Sequence, residues 1–455
     1  MGDSEVETTS GATAVTDTVV CVTGASGFIA SHVIKQLQEQ GYRVRGTVRN
    51  LENEEKLKPL YELAPEADHK LELVEADLLK AETWEPAIKG CDYVIHVASP
   101  FPNAQPKDEK EVIEPAVEGT KNVLKACVVE KVKRVVLTSS CVAVSGGLTA
   151  NDPEKVFAEE DWSDPEKVTE AYTKSKTLAE KAAWDYVKEL SVEDKIEIAT
   201  INPGYVLGPV VHGTAGTSTE LCRRLLERSM PACPRLNFPI VDVRDVALAH
   251  IKAMTSEEAA GHRHLLVGSN MWLREMAQIL AKEFKPRGYN VPTANCPYFA
   301  AWIYGLFDKT TKMVLPNIGK VTKFDNTRMK EKLEIEPRNA EETLLEMCNS
   351  MIDKGMVKKP KPKKEKKKKE VTEPAEAGEA KDDMEVKDSE EIKDRDEKKQ
   401  NGGVDKEKDG ETATEKNEGK GEEKKEEIIN EENKKEEIEE KKDEEKEGEK
   451  KDEEK

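Results

Sequence analysis

The chain has 455 residues, of which 36% are charged, and its formal net charge is −20. Residues 358–455 hold 29 Lys and Arg against 38 Asp and Glu and contain no aromatic residue, so this segment cannot bury enough apolar surface to offset the entropy of ordering. The eight cysteines form no CxxC pair, no apolar run approaches the roughly 20 residues of a membrane span, and the N-terminus lacks a signal-peptide pattern, which argues against a secreted disulfide scaffold and a membrane-spanning protein.

Between residues 18 and 201, short apolar runs rich in β-branched residues alternate with stretches of helical periodicity. This alternation predicts an α/β fold with a doubly wound parallel sheet, the Rossmann arrangement. Strands are predicted at 18–23, 42–48, 71–75, 93–98, 134–139 and 196–201. Helices are predicted at 31–40, 52–63, 83–89, 112–130 and 175–190.

The predicted domain organisation follows changes in this pattern. Residues 1–17 are expected to be a flexible leader, and residues 18–202 the sheet domain. Prolines, glycines and short helices dominate after Pro203, so 203–356 are expected to form mainly a smaller C-terminal lobe that binds substrate. This lobe is expected to interleave with the sheet domain around 238–268. Residues 357–455 are expected to be a disordered tail rich in Lys and Glu.

The longest apolar run of the chain is YFAAWIYGLF at 298–307. It is about half the length of a membrane span. We interpret it as a helix of the hydrophobic core, with a helix that contacts a membrane as the alternative.

The first predicted strand leads into a glycine-rich turn with the sequence GASGFIA at 24–30. Gly24 permits the tight turn, Gly27 lets backbone N–H groups approach a pyrophosphate, and the small Ala30 lets the next helix pack against the strand. The N-terminus of that helix then faces the phosphates with its amides and dipole. The turn therefore predicts a dinucleotide site formed by Gly24, Ser26, Gly27, Phe28 and Ile29.

Charged residues near the second strand predict the type of nicotinamide cofactor. NAD sites usually present an acidic residue here for the ribose 2′-hydroxyl. This chain instead has Arg45 and Arg49 in and after the strand and Lys56 in the next helix. Cations suit a 2′-phosphate, so the pattern favours NADP(H), with ordinary surface charge as the alternative. Asp77 and Leu78 are expected at the adenine edge, with a solvated Asp77 as the alternative.

Tyr172 and Lys176 are four residues apart in a predicted helix, so both project from one face. An ammonium near a phenol, together with an oxidised nicotinamide, is expected to lower the pKa of the tyrosine. The phenol can then protonate a carbonyl oxygen while hydride reaches the carbon. Ser140, at the end of the fifth predicted strand, is expected to hydrogen-bond the same oxygen. The spacing predicts a catalytic triad of Ser140, Tyr172 and Lys176, with Lys176 also reaching the nicotinamide ribose.

With this glycine turn and this triad, the chain resembles the extended short-chain dehydrogenase/reductase family. More narrowly, it is similar to the group of dihydroflavonol, cinnamoyl-CoA and methylglyoxal (aldehyde) reductases. The resemblance covers about 19–355. The motifs that carry it are VTGASGFI (22–29), TVR (47–49), HVASP (96–100), DWSD (161–164), YTKSKTLAEKAAW (172–184), NPG (202–204) and VDVRDVA (241–247).

The resemblance implies NADPH-dependent reduction of an aldehyde or ketone by the Ser140, Tyr172 and Lys176 triad. It implies that Arg49 and Lys56 hold the 2′-phosphate and that Asp77 and Leu78 line the adenine. Two departures weaken a narrower assignment. Ser145 stands where dihydroflavonol reductases carry Asn, and the sequence around the tyrosine differs from that of cinnamoyl-CoA reductases. Further cofactor contacts implied by the resemblance are Val97, Ala98, Ser99, Pro203 and Val206.

Three functions remain open at this point. The first is an NADPH-dependent carbonyl reductase that acts on a small molecule. The second is an NAD(P)-dependent alcohol or steroid dehydrogenase, or a sugar epimerase or dehydratase, of the same fold. The third is a dinucleotide-sensing adaptor that acts through its charged tail. No metal and no nucleic-acid partner is expected, and the chain is expected to be a monomer or a homodimer.

The tail begins with a basic block, KKPKPKKEKKKK at 358–369. Such blocks act as nuclear signals or attach to acidic surfaces, and a solvated linker is the alternative. We expect a cytoplasmic protein, with nuclear access through this block, and a tail that contacts an unknown acidic or basic partner.

Overall fold

The structure is a computed structural model that describes residues 17–100, 106, 108–147, 154–213 and 216–360. The leader and nearly all of the tail expected from the sequence therefore lie outside the described residues. Within them, no helix combines the length and apolar character that crossing a membrane requires.

The described residues form strands and helices in alternation through the first half of the chain. The strands are β1 Val19–Val22, β2 Arg43–Val48, β3 Glu72–Glu75, β4 Tyr93–His96, β5 Arg134–Thr138, β6 Val156–Phe157, β7 Glu197–Pro203, β8 Tyr205–Leu207, β9 Cys233–Pro234, β10 Asn237–Asp242, β11 Arg263–Leu266, β12 Ser269–Trp272, β13 Asn295–Cys296 and β14 Lys323–Phe324. The helices are α1 Phe28–Glu39, α2 Glu54–Tyr61, α3 Trp84–Ile88, α4 Lys110–Val129, α5 Val142–Ser145, α6 Ala171–Glu189, α7 Thr217–Leu226, α8 Val243–Thr255, α9 Leu273–Phe284, α10 Tyr298–Gly305, α11 Lys309–Val314, α12 Thr327–Glu331 and α13 Ala340–Asp353.

Seven strands form one parallel sheet in the order β11-β7-β5-β4-β1-β2-β3. Valines such as Val20, Val22 and Val136 are fully buried in these strands, as expected of a sheet covered by helices on both faces. The strand order reverses between β1 and β4, and ligands of open α/β sheets bind at such a switch point. The predicted doubly wound parallel sheet is confirmed.

The described residues form two hydrophobic cores between which the chain passes repeatedly. A further core, which includes Cys21, Trp84 and Leu124, lies against the other face of the main sheet. The core beside the sheet includes Val20, then residues of 241–266, and then Met329, Leu333 and Ile335. The second core takes residues from 207–240, 273–291 and 344–357. A smaller sheet, β12-β10-β8, runs between them. The division at residue 202 and the interleaving around 238–268 stay predictions.

Helix α10 differs from the prediction made for its sequence. Only Ala301 and Gly305 are buried in it, whereas Phe299 is 67% exposed and Trp302 51% exposed. The interpretation of 298–307 as a core helix is therefore wrong. The reason is that its inward face carries only small residues, so the large apolar side chains point away from the body.

Candidate active site

A cleft of about 1670 Å³ lies where the strands of the main sheet end. Residues that follow β1, β2, β3, β4, β5 and β7 all contribute to its wall, as the switch-point rule predicts. Lys56 is the one residue of the predicted site that does not line it. The predicted residues that do line the cleft are Gly24, Ser26, Gly27, Phe28, Ile29, Arg49, Asp77, Leu78, Val97, Ala98, Ser99, Ser140, Tyr172, Lys176, Pro203 and Val206.

The glycine turn has a backbone that only glycine adopts without strain. Gly24 has a φ of +69°, and a Cβ there would lie 3.1 Å from the Cβ of Ala98. The turn is closed by a hydrogen bond from Gly27 N to Gly24 O at 2.8 Å. Helix α1 begins directly after Gly27 and has no side-chain cap. Its first N–H groups are therefore suited to an anion such as a pyrophosphate.

A buried hydroxyl holds the two sides of this turn together. Thr23 Oγ1 accepts hydrogen bonds from the backbone N–H groups of Val97 (3.0 Å) and Ala98 (2.9 Å). It also lies 2.8 Å from His96 Nδ1, so the hydroxyl hydrogen is directed to that nitrogen. Burial and, to a smaller extent, the nearby charge of Lys176 lower the pKa of His96 to about 3. His96 is therefore neutral and structural, and it fixes Val97 and Ala98 against the turn.

The three cations considered for a 2′-phosphate lie in different places. Arg49 lines the cleft. Arg45 points away from it, because its guanidinium donates to Lys89 O at 2.8 Å and pairs with Glu72 at 2.9 Å. Lys56 is exposed in the first turn of α2. The interpretation of Arg45 as a phosphate contact is wrong, whereas the roles of Arg49 and Lys56 stay predictions.

The loop expected at the adenine edge is braced from two sides. Asp77 accepts a hydrogen bond from Leu79 N at 3.0 Å, and its carbonyl accepts one from Trp84 Nε1 at 2.9 Å. Asn122 of α4 donates to Leu78 O at 2.9 Å. These hydrogen bonds fix the loop beside the cleft.

Strands β5 and β7 together position Ser140. Their pairing continues past the strand ends, with Ser139 N bonded to Ile201 O (2.8 Å) and Cys141 N bonded to Pro203 O (2.9 Å). Ser140 is buried between these two bonds and lines the cleft. Its hydroxyl hydrogen-bonds Tyr172.

The electrostatics of Tyr172 differ from the sequence-based expectation. Burial raises the pKa of Tyr172 well above its usual range, the nearby Cys141 raises it further, and the hydrogen bond with Ser140 offsets part of this effect. The expected lowering of the pKa by Lys176 is therefore absent in the structure. The phenol stays protonated at neutral pH, which is the state that a proton donor needs.

Lys176 is a buried cation one turn along α6 from Tyr172. Burial lowers its pKa to about 8, although the charge of Glu180 acts in the opposite direction. Its Nζ donates to Thr138 O at 3.2 Å, which orients the ammonium at the end of β5. The pKa of Lys176 is thus close enough to neutral pH that small changes in the site can alter the charge of this lysine.

A buried ion pair that the sequence analysis did not identify supports this helix. Glu180, one turn beyond Lys176, pairs with Arg263 Nε at 2.6 Å. Its carboxylate also accepts hydrogen bonds from Ser139 Oγ at 2.5 Å and from Asn202 Nδ2 at 2.8 Å. Satisfied networks of this kind rigidify their surroundings. The pair thereby ties α6 to the ends of β5 and β7 and to β11.

The cleft continues from the triad into the second lobe. Ser145, which follows β5, and Thr219, which follows β8, line this part of the cleft. The sequence analysis missed the wall formed by 314–324. That wall is held by the pairing of β14 with β6, in which Lys323 pairs with Val156 and Phe324 with Phe157. No local sequence pattern predicts a pairing between strands so far apart in the chain.

Comparisons with known proteins agree on one family. The model of the NAD dependent epimerase/dehydratase family matches residues 20–268. The chain is 39% identical to cinnamoyl-CoA reductase 1 of Petunia hybrida, over 75% of this chain and 94% of that protein. It is also 39% identical to a putative anthocyanidin reductase of Ginkgo biloba, over 62% of this chain and 84% of that protein.

Solved structures of similar proteins match the described fold. Gre2 of Candida albicans in complex with NADPH superposes with a TM-score of 0.61 at 30% identity, covering 74% of this chain and 99% of that one. Yeast methylglyoxal/isovaleraldehyde reductase Gre2 complexed with NADPH gives the same TM-score and identity and is covered completely.

Proposed function

The chain belongs to the NAD dependent epimerase/dehydratase family, and from this premise we propose that it is an NADPH-dependent reductase of aldehydes or ketones. Membership confirms the family resemblance drawn from the motifs. The chain is an NADP-dependent oxidoreductase, in line with its reductase relatives and the NADPH complexes of its structural neighbours. The carbonyl substrate and the roles of individual residues are our proposal.

The observation that carries the proposal is the convergence of two motifs on one cleft. The glycine turn, Arg49, Ser140, Tyr172 and Lys176 all line the same cleft. The uncapped start of α1 fits a pyrophosphate, and Arg49 fits a 2′-phosphate. NADPH supplies a hydride when bound.

In the proposed mechanism, the protein residues manage the proton and the orientation of the substrate. Ser140 donates a hydrogen bond to the substrate carbonyl and holds it beside Tyr172. Tyr172 transfers its phenolic proton to the carbonyl oxygen as the carbon accepts hydride, and solvent then returns a proton to the phenolate. The Lys176 ammonium stabilises that phenolate electrostatically. Its charge matters most at this step, because Tyr172 is otherwise held neutral by burial.

The test combines nucleotide titration with turnover. Fluorescence titration with NADPH and NADH is expected to show tighter binding of NADPH, and a panel of aldehydes and ketones is expected to support NADPH oxidation. Tyr172→Phe should lower turnover by about 10²-fold or more while NADPH binding persists. The matched control is Tyr186→Phe, on the same helix but outside the cleft lining. Wild-type turnover in Tyr172→Phe would refute the mechanism.

A further inference from the structure

A small internal cavity of about 10 Å³ lies between α6 and the ends of β4 and β5. Lys176 and Glu180 both line it. They are one helical turn apart on α6, so their side chains project from the same face. Lys176 also lines the cleft, whereas Glu180 does not. The carboxylate and the ammonium are therefore neighbours inside the protein, where charges interact more strongly than in water.

The buried side chain of Glu180 is fixed by donors on or next to β5, β7 and β11. Arg263 donates to it from Nε at 2.6 Å and from Nη2 at 3.2 Å. The hydroxyls of Ser139 and Thr200 donate at 2.5 Å and 3.1 Å, and Asn202 Nδ2 donates at 2.8 Å. Both oxygens of Glu180 therefore act as acceptors, which is the role of an ionised carboxylate.

The other described titratable groups next to Lys176 are neutral at pH 7. His96, at the end of β4, has a pKa of about 3 because it is buried. Tyr172, one turn back on α6, stays protonated because burial raises its pKa. Helix α4 faces the cavity with the uncharged Thr120, and β5 offers Lys176 a backbone carbonyl. Glu180 is therefore the group whose charge raises the pKa of Lys176 against the effect of burial.

Arg263, the partner of Glu180, is anchored elsewhere. Its Nη1 donates to the backbone carbonyls of Glu159 at 2.8 Å and Asp161 at 2.6 Å. Arg263 extends from β11, whereas Lys176 is bound at the end of β5, and β7 lies between these strands. It does not line the small cavity. Arg263 thus fixes the carboxylate without replacing Lys176 as its neighbour there.

We propose that Glu180 is a positioning residue of the reaction, whose buried carboxylate keeps Lys176 in its ammonium form while Tyr172 gives up its proton. This inference rests on the proposed function, because the phenolate formed at Tyr172 is what the ammonium stabilises. Without the carboxylate, Lys176 loses its proton at a lower pH, and a neutral lysine does not stabilise a phenolate. Glu180 thereby extends to higher pH the range in which the triad works.

The test compares the pH dependence of kcat for NADPH-dependent carbonyl reduction in the wild type and in Glu180→Gln, which keeps the shape of the side chain and removes its charge. Wild-type kcat is expected to fall above about pH 8, as Lys176 loses its proton. In the variant, the fall should begin about one pH unit lower. KM for the carbonyl should change little, because Glu180 does not line the cleft. A merely structural role would instead lower kcat by the same factor at every pH.

The matched control is Glu197→Gln, whose pH profile should follow that of the wild type. Glu197 also pairs with a buried arginine of the main sheet, Arg134, at 2.6 Å. Arg134 is the first residue of β5, whereas Lys176 donates to the last one. A second variant, Glu180→Gln with Arg263→Met, removes both charges of the ion pair. It should fold with nearly wild-type stability and still show the shift to lower pH.

A second readout needs no substrate and shows whether the shift comes from Lys176. Urea denaturation measures the effect of Lys176→Met on stability against pH, in the wild type and in the variant that lacks both charges. In that variant, the effect should begin to shrink about one pH unit lower, because Lys176 loses its proton earlier.

The outcomes separate this inference from the proposed function. If the wild type reduces no carbonyl, or if Tyr172→Phe retains wild-type turnover, the proposed function fails and the role of Glu180 fails with it. If turnover depends on Tyr172 but the pH profiles coincide in all variants, the role of Glu180 alone is overturned. A shifted kcat profile with unshifted stability curves would also overturn it, because the shift would then come from another group.

Discussion

Replacing Lys176 by Met is expected to stabilise the nucleotide-free protein at neutral pH. Burial lowers the pKa of Lys176 from 10.5 to about 8. Each pKa unit corresponds to about 1.4 kcal/mol, so keeping this lysine charged costs the folded state about 3 kcal/mol at pH 7. Losing the hydrogen bond to Thr138 O returns about 1 kcal/mol of that gain. The net expectation is an increase of about 2 kcal/mol in the free energy of unfolding.

The difference in stability between the wild type and Lys176→Met is expected to depend on pH. A lysine whose pKa is lower in the folded state binds fewer protons there, so wild-type stability rises between about pH 8 and pH 10.5. The advantage of Lys176→Met should therefore be largest at pH 7 and should shrink as the pH approaches 10.5. Below pH 8 the difference should be constant, because Lys176 is then protonated in both states.

Urea denaturation of both proteins from pH 7 to pH 10 measures the difference directly, and other titrating groups cancel in the comparison. Lys188→Met is the control, because Lys188 is exposed on the same helix; its difference from the wild type should stay small and flat. A variant that is less stable at pH 7, or a difference that does not change with pH, would refute a desolvated Lys176 cation.

Three further predictions follow from the site. Arg49→Ala is expected to raise the Kd for NADPH by about tenfold while sparing NADH, because only NADPH carries the 2′-phosphate; equal losses in fluorescence titrations would contradict this. Glu180→Met leaves Arg263 buried without its carboxylate and should cost about 3–5 kcal/mol in denaturant unfolding, and adding Arg263→Met should recover most of that loss. Gly24→Ala should lower stability by about 1–2 kcal/mol, because of its positive φ and the contact with Ala98; calorimetry measures this, and unchanged unfolding would be the contrary result.

The features that the sequence predicted are those set by neighbouring residues. The glycine turn directly joins one strand to the next helix, and Tyr172 and Lys176 share one helix. Their geometry depends on local rules that hold in any protein. The parallel, doubly wound sheet also followed from the alternation of strands and helices.

The features that escaped prediction depend on distant residues. Glu180 and Arg263 are 83 positions apart, and no periodicity links them. The exposure of α10 depends on the small size of its inward residues, Ala301 and Gly305. The overall apolar character of 298–307 does not show which residues face inward. Arg45 lies within three residues of the end of β2, but only the positions of Glu72 and Lys89 show that its side chain is directed elsewhere.

The passage of the chain between the two cores limits how this protein can be re-engineered. The second core draws on 207–240, 273–291 and 344–357, while 241–266 and 329–335, which lie between these stretches, contribute to the first core. A chimera that takes its specificity from another family member therefore cannot be spliced at a single junction. It needs several crossovers, and each one places foreign side chains against the host's sheet. Point substitutions along the cleft wall are the more economical route to a new substrate range.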